Sequence, residues 1–319
     1  MNKPSFQTAL TALCDESTAF PSRYLPYFSD LAPQDLSALM AAWLRLAKKR
    51  KHNLLSRLAE LYQEDNLLSF DSLGAALLSD SDEHVRADAL RLLADSEDTG
   101  LLPRLVELSE NDTDADVRSR AAIVLGNFIE LGELEEISKE AQNFVEESLL
   151  RLVRSDNEAV QRSALEAVSF SSRPEVEALI QSAYMRPEPG WIASSLIAMG
   201  RSASDDWEEL VLAKFDDPHT EIRRRAVQAA GELQIDSARP LLLTLLEEED
   251  DEDVFTAAIW SLSQIGGEDV RVALEVLLDQ AEDDATLNFI DEAIANLDFT
   301  EELNSFNLLA FDPDDDPDQ

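Results

Sequence analysis

The chain of 319 residues carries 66 acidic and 26 basic side chains, a net charge of −40 at pH 7, with 9 Gly and a single Cys. Charge of that sign repels phosphate backbones, which argues against nucleic acid or an anionic membrane as the main partner, and no apolar run reaches the ~18 residues of a membrane span. The lone Cys14 excludes an intrachain disulfide framework and a multi-cysteine metal site, and the near absence of period-two alternation of apolar residues leaves an all-α chain.

The first 70 residues stand apart. They carry 7 acidic and 8 basic residues, whereas the stretch from Pro240 onward carries 24 acidic residues and one basic residue, Arg271. Phe6, Leu10 and Leu13 predict one amphipathic helix, and Phe20, Pro21, Tyr24, Pro26, Tyr27 and Phe28 predict an irregular packed segment. Gln34 to Ala47 reads as a helix after Pro33. The basic run Lys48 to Lys51 with His52 reads as a solvated helix junction, the alternative being a small interaction patch. Leu54 to Tyr62 and Phe70 to Leu78 form a degenerate first helix pair. Residues 1–70 are therefore expected to be an atypical helical cap over the apolar face that a first repeat exposes.

Residues 71–303 repeat. Taking Val85, Val117, Val160, Trp191, Ile222, Val254 and Thr286 as anchors, the spacings are 32, 43, 31, 31, 32 and 32. Position plus four is small in six of the seven copies (Ala89, Ala121, Ala164, Ser195, Ala226, Ala258, with Ile290 the exception), and plus eight is always apolar. Plus nine is always small: Ala94, Gly126, Ser169, Gly200, Gly231, Ser263 and Ala295. Small residues there allow a neighbouring helix to come close, so the columns describe packing between copies. In the clearest copy, Asp216 to Leu233, Asp217 is the expected N-cap and Pro218 the first helical residue. A second apolar helix follows in each copy, as at Leu101–Leu108, Val176–Ala183 and Pro240–Leu246. The 43-residue spacing marks an insertion near 128–140, where Leu131, Leu134 and Ile137 predict extra helix. Residues 304–319 are expected to be an acidic disordered tail.

Asp114 to Gly126, DADVRSRAAIVLG, and Glu221 to Gly231, EIRRRAVQAAG, resemble HEAT repeats in the short form named for the phycobiliprotein lyases. Ser171 to Tyr184 and Ala198 to Ala203 further resemble a bacterial group of HEAT-repeat proteins. The resemblance implies a right-handed α-solenoid of stacked antiparallel helix pairs, whose second helices line a concave face, and a protein-binding scaffold or adaptor role. A bilin-lyase-like or cofactor-chaperone subunit is the alternative that it implies.

Chemistry is sparse. His52, His84 and His219 lie at least 32 residues apart in sequence, each near a helix start, and read as structural or solvent-exposed. Asp112, Asp114 and Asp116 mimic the opening of an EF-hand loop, but Val117 stands where that loop needs Gly, so they read as a repeat turn. The acidic run Glu247 to Asp253 reads as a solvated turn. No catalytic residues, cofactor or metal are expected. Arg86, Arg118 and Arg223, each one residue after an anchor, read as ties between repeats. The expected partner-binding residues are Arg104, Arg151, Arg154, Tyr184, Met185, Arg186 and Trp191, on or beside second helices, because arginine and aromatics favour interface hot spots. Arg224, Arg225 and His219 read as a basic spot on an acidic surface. A cytoplasmic monomer with a basic protein partner is the expectation, and an acidic structural protein adapted to high salt is a further one.

Overall fold

The computed structural model describes residues 5–65 and 67–310. Among these, every regular element is a helix, and the chain divides into two compact units, Met1–Ser171 and Ser172–Gln319.

The first unit contains α1 (Phe6–Cys14), a 3-10 helix (Ser22–Phe28), α2 (Pro33–Trp43), α3 (Lys48–Glu64), α4 (Asp71–Leu77), α5 (Glu83–Arg91), α6 (Leu102–Asn111), α7 (Ala115–Glu133), α8 (Lys139–Leu152) and α9 (Glu158–Val168). The second contains α10 (Pro174–Tyr184), α11 (Pro189–Arg201), α12 (Glu208–Leu212), α13 (Thr220–Glu232), α14 (Arg239–Glu248), α15 (Glu252–Ile265), α16 (Glu268–Gln280) and α17 (Asp284–Ala310). The expected tail is thus partly helix: α17 runs to Ala310, and residues 311–319 lie outside those described.

In each unit the helices form two rows. The anchor-bearing helices α5, α7 and α9, and separately α11, α13, α15 and α17, pack on one another consecutively and closely. The second helices meet one another far less. The plus-nine column explains the difference. A Cβ on Gly126 would lie 3.0 Å from the Cα of Ala167 in α9, and one on Gly231 would lie 2.7 Å from the Cα of Ser261 in α15. Buried polar contacts lock the same approach: Ser261 Oγ donates to the carbonyl of Val227 at 2.8 Å, and Asn296 Nδ2 to Ser263 Oγ at 2.9 Å. Close axes on one row and wider axes on the other bend each stack toward the close row. The anchor helices therefore take the inner side of each unit. This reverses the expectation that the second helices line a concave face.

The turns before α5, α7, α9 and α15 repeat one design. Asp114 accepts from the N–H groups of Asp116 and Val117, Asp251 from those of Asp253 and Val254, and Asn157 and Asp82 cap α9 and α5 in the same way. Two residues earlier, Asp112 Oδ1 accepts from the N–H of Asp114 at 2.9 Å while the carboxylate holds Arg86 bidentately at 2.7 and 2.8 Å. Glu249 does the same for the N–H of Asp251 and for Arg223, 26 residues before it, at 2.9 and 3.0 Å. Each arginine also donates to the turn carbonyl six residues before itself, Asp80 or Asp217. Arg118 and Gln161 make that backward bond as well, to Asp112 and Ser155. Arg86 and Arg223 are thus inter-repeat ties as expected, but largely buried rather than exposed. In α13 the cap differs from expectation. His219 occupies the N-cap and Pro218 precedes it, with Asp217 accepting from the His219 N–H at 3.1 Å.

The N-terminal segment joins this scheme more than its sequence suggests. α2 packs on α4 and α3 on α5, so this pair continues the two rows. Only α1 and the 3-10 helix depart from them, packed through Phe6, Phe20 and Phe28 with ring centroids 5.7 and 5.9 Å apart. Arg50 donates to the carbonyls of Ala12, Leu13, Asp15 and Thr18 at 2.7–3.1 Å, satisfying the open C-terminal end of α1. Lys51 reaches Asp80 at 3.4 Å and Lys48 reaches Asp82 at 3.0 Å. Arg50 and Lys51 of the basic run are therefore tertiary ties, while Lys48 and Lys49 stay exposed as expected of a solvated junction. The insertion near 128–140 is helix, as expected. It lengthens α7 to Glu133, where Gly132 gives room for the fully buried Gln142 of α8.

Burial alone would raise the Asp112 pKa, but the Arg86 guanidinium and the N–H of Asp114 hold it below its ordinary 3.8. The Arg223 guanidinium holds Glu249 below 4.5. A depressed folded-state pKa stabilises fully above the ordinary value and loses that stabilisation as pH falls through the depressed one. Arg223→Met is therefore expected to destabilise the protein by about 3 kcal/mol at pH 7 by stranding a buried carboxylate. In urea titrations the gap from wild type should shrink steadily once pH falls below the ordinary carboxylate range.

Candidate partner-binding surface

On the inner row, positions plus four and plus eight point into the core and plus nine meets the next helix. Position plus six is left facing outward. It holds Arg91, Ile123, Glu166, Ile197, Gln228, Trp260 and Glu292, none of them buried. This column is the most varied of those considered, as expected where side chains answer to something other than their own repeat.

Two grooves lie along this face, one in each unit. In the first unit, a groove of about 420 Å³ runs between α7 and α9, with Arg120, Ile123, Ser163 and Glu166 in its walls. Ile123 is 47% exposed although it sits on a helix whose other apolar residues are buried. In the second unit, a groove of about 430 Å³ between α13, α15 and α17 is lined by Arg224, Gln228, Glu232, Asp253, Trp260 and Phe289. Trp260 is 39% exposed, and its ring lies 6.5 Å from that of Phe289, tilted by 31°. The aromatic pair is thus the apolar floor of an otherwise polar groove. Glu252, Asp253, Asp291 and Glu292 are exposed on the helices that carry it.

The cations of this region are already engaged. Arg224 holds Glu221 bidentately at 2.7–3.0 Å, and Arg225 donates to the same carboxylate at 2.8 Å and to Gln228 at 3.1 Å. Burial tends to raise the Glu221 pKa, but these two guanidinium groups hold it below the usual range. His219 Nδ1 lies 3.1 Å from Asp217. The expected basic spot is therefore neutralised by its own carboxylates, and the groove keeps an acidic character.

Six of the residues expected to bind a partner are scattered on the outer row and its turns, and the seventh, Trp191, lies on α11 of the inner row. Arg104 pairs with Glu107 at 2.6 Å and donates to the carbonyl of Leu78 at 2.8 Å; Arg151 pairs with Glu110 at 2.7 Å; Arg154 is exposed after α8. Tyr184 donates to the carbonyl of Leu210 at 3.0 Å, and Met185 is exposed beside it. The Arg186 guanidinium lies 3.8 Å over the ring of Trp191. Trp191 is only 4% exposed, so it is a core residue lidded by Arg186 and not a contact for a partner. What sequence reasoning missed were Ile123, Trp260 and Phe289. For Ile123 and Trp260 the available signal was a large apolar residue in an outward column of the repeat, visible once plus six is known to face away from the core; Phe289, at plus three, carries no such signal.

Among the described residues no helix is long and apolar enough to cross a membrane. A sequence model for HEAT repeats matches residues 70–148 and 208–297. No curated protein matches the sequence. Among solved structures, an engineered protein is similar at 17% identity over 91% of this chain and 88% of its own, with a TM-score of 0.38. The CpcE–CpcF complex of phycocyanin lyase from Nostoc sp. PCC7120 is similar at 19% identity over 72% of this chain and 94% of that one, with a TM-score of 0.46. Kap95p, from a complex with RanGDP, is similar at 12% identity over 92% of this chain and 51% of that one, with a TM-score of 0.40.

Trp191→Ala is expected to cost about 3–5 kcal/mol through the cavity it leaves, whereas Met185→Ala should stay within about 0.5 kcal/mol of wild type. Chemical denaturation of the two variants separates the core position from the surface one.

Proposed function

The chain belongs to the HEAT-repeat family, and from that premise we propose that it is a non-catalytic scaffold that binds another protein along the inner face of its anchor helices. The observation that carries this reading is the Trp260–Phe289 pair, partly exposed in an open groove where α15, whose other apolar side chains are mostly buried, meets α17, on which Phe299 and Leu303 are exposed as well. A half-exposed tryptophan ringed by polar groups is the composition of an interface hot spot. The groove is open rather than enclosed, which suits an extended polypeptide better than a small molecule.

The partner proposed for it is basic. The second unit carries most of the acidic excess of the chain, concentrated from Pro240 onward, and Arg223, Arg224, Arg225 and Arg271 are spent on internal carboxylates. Long-range attraction of that kind speeds encounter and sets specificity more than it adds affinity. A cytoplasmic monomer acting as an adaptor is the form of this proposal.

Trp260→Ala is expected to weaken binding of the captured partner by at least about tenfold, equivalent to ~1.4 kcal/mol, and to lower the melting temperature less than Trp191→Ala does because the side chain is partly exposed. Isothermal titration and thermal melting of the same samples measure both. Raising the salt concentration should slow association more than it speeds dissociation. Wild-type affinity for Trp260→Ala would place the contact elsewhere.

A further inference from the structure

We propose that His52, Asp82 and His84, with Glu83 beside them, form a binding site for a divalent transition-metal ion of the zinc class. The two imidazoles are 32 residues apart in sequence, one on α3 and one at the start of α5, yet their ring centroids are 5.4 Å apart. Asp82 stands between them. Its Oδ2 lies 3.3 Å from His52 Nε2, and its Oδ1 lies 3.4 Å from His84 Nδ1. Glu83 Oε1 is 3.8 Å from His84 Nδ1, and single ligand atoms of Asp82, Glu83 and His84 all lie within 4.8 Å of one another.

Those separations are informative. Tetrahedral zinc bonds nitrogen and oxygen at about 2.0–2.1 Å, which places neighbouring ligand atoms roughly 3.3 Å apart. The two contacts of Asp82 to the imidazoles are close to that spacing, each through a different carboxylate oxygen, and His52 adds to the Asp82, Glu83 and His84 group from the α3 side. The donor set, two imidazoles and carboxylate oxygen, selects zinc-like ions over calcium or magnesium, which take oxygen ligands.

A second observation points to a ligand. Asp82 is only 4% exposed, and its Oδ2 and the buried Nε2 of His52 have no hydrogen-bond partner among the described residues. Buried polar atoms without hydrogen bonds are costly, and these two meet at 3.3 Å, so that an ion bound to both would satisfy them together. The Lys48 ammonium pairs with Oδ2 at 3.0 Å, on a side chain that is 78% exposed. It is a removable substitute for the ion.

The consequence of binding is mechanical. Ligands from α3 and α5 would clip the N-terminal segment to the first repeat. An ion bound only by the folded state stabilises it in proportion to its occupancy.

The test is zinc titrated into the metal-free full chain by calorimetry, with thermal melts alongside and cobalt as a spectroscopic probe. The expected result is one site taken up in preference to magnesium, a melting temperature raised by zinc, and the visible absorption of tetrahedral cobalt. His52→Ala and His84→Ala should each weaken that site at least about tenfold. Lys48→Ala should tighten it several-fold by removing the competing ammonium, an effect that a merely structural role for the cluster would not produce. Should the histidine variants fold poorly, the Lys48→Ala result on a folded chain still decides. Zinc uptake no stronger than magnesium uptake, or uptake indifferent to both histidines and to Lys48, would overturn the proposal and assign the signal to diffuse attraction by the acidic surface.

Discussion

A single carboxylate in the turn before an anchor helix holds two structures at once. In Asp112 and Glu249 it accepts the N–H that shapes its own turn and, through both oxygens, the guanidinium of the preceding anchor helix. The arginine in turn grips the carbonyl of the turn behind it. Turn shape and repeat spacing are thereby fixed by the same group, and loss of either partner leaves a largely buried charge without its counterpart. Where the chain lacks the arginine, other donors take its place. Asp80 is held by the indole N–H of Trp43 and by Lys51, and Asp217 by Lys214.

This spacing has a consequence for function. Anchor helices held close, and flattened against each other by Gly126, Gly231 and their equivalents, leave only a narrow strip of each facing outward. That strip is the plus-six column with its immediate neighbours. Its side chains are spared from packing and are free to differ, so a repeat that is uniform inside presents Ile123 in one groove and Trp260 with Phe289 in another. The outer row meets no such constraint, and its arginines form pairs within one helix, as Arg104 with Glu107, or between neighbouring second helices, as Arg151 of α8 with Glu110 of α6.

The N-terminal segment shows the same economy with different chemistry. α3 occupies the place of an anchor helix, and its basic first turn meets the acidic turn before α5. Arg50 closes the end of α1 with four carbonyl contacts, so the segment is bound by polar ties as well as by its aromatic cluster. Asp82 belongs to this junction twice, as the cap of α5 and as the acid between two imidazoles.

Much of the fold was legible in the sequence because helix packing is periodic. The anchors, the small plus-nine column, the acidic turns and the extra helix of the insertion all follow from spacing, and so does the role of Arg86 and Arg223 as ties. Three things were not legible. Which row lies inside depends on the relative closeness of helix axes, a property of pairs of copies and not of one. Trp191 and Trp260 are both tryptophans on anchor helices, at offsets zero and six, and only the packed stack buries one and exposes the other. His52 and His84 are distant in sequence and belong to different helices, and their meeting at Asp82 comes from the stacking of α3 on α5. The sequence alone determined an all-helical repeat with its local turn chemistry, because those rest on contacts between near neighbours. The tertiary structure decided which side chains share a surface, because that rests on how whole helices approach each other.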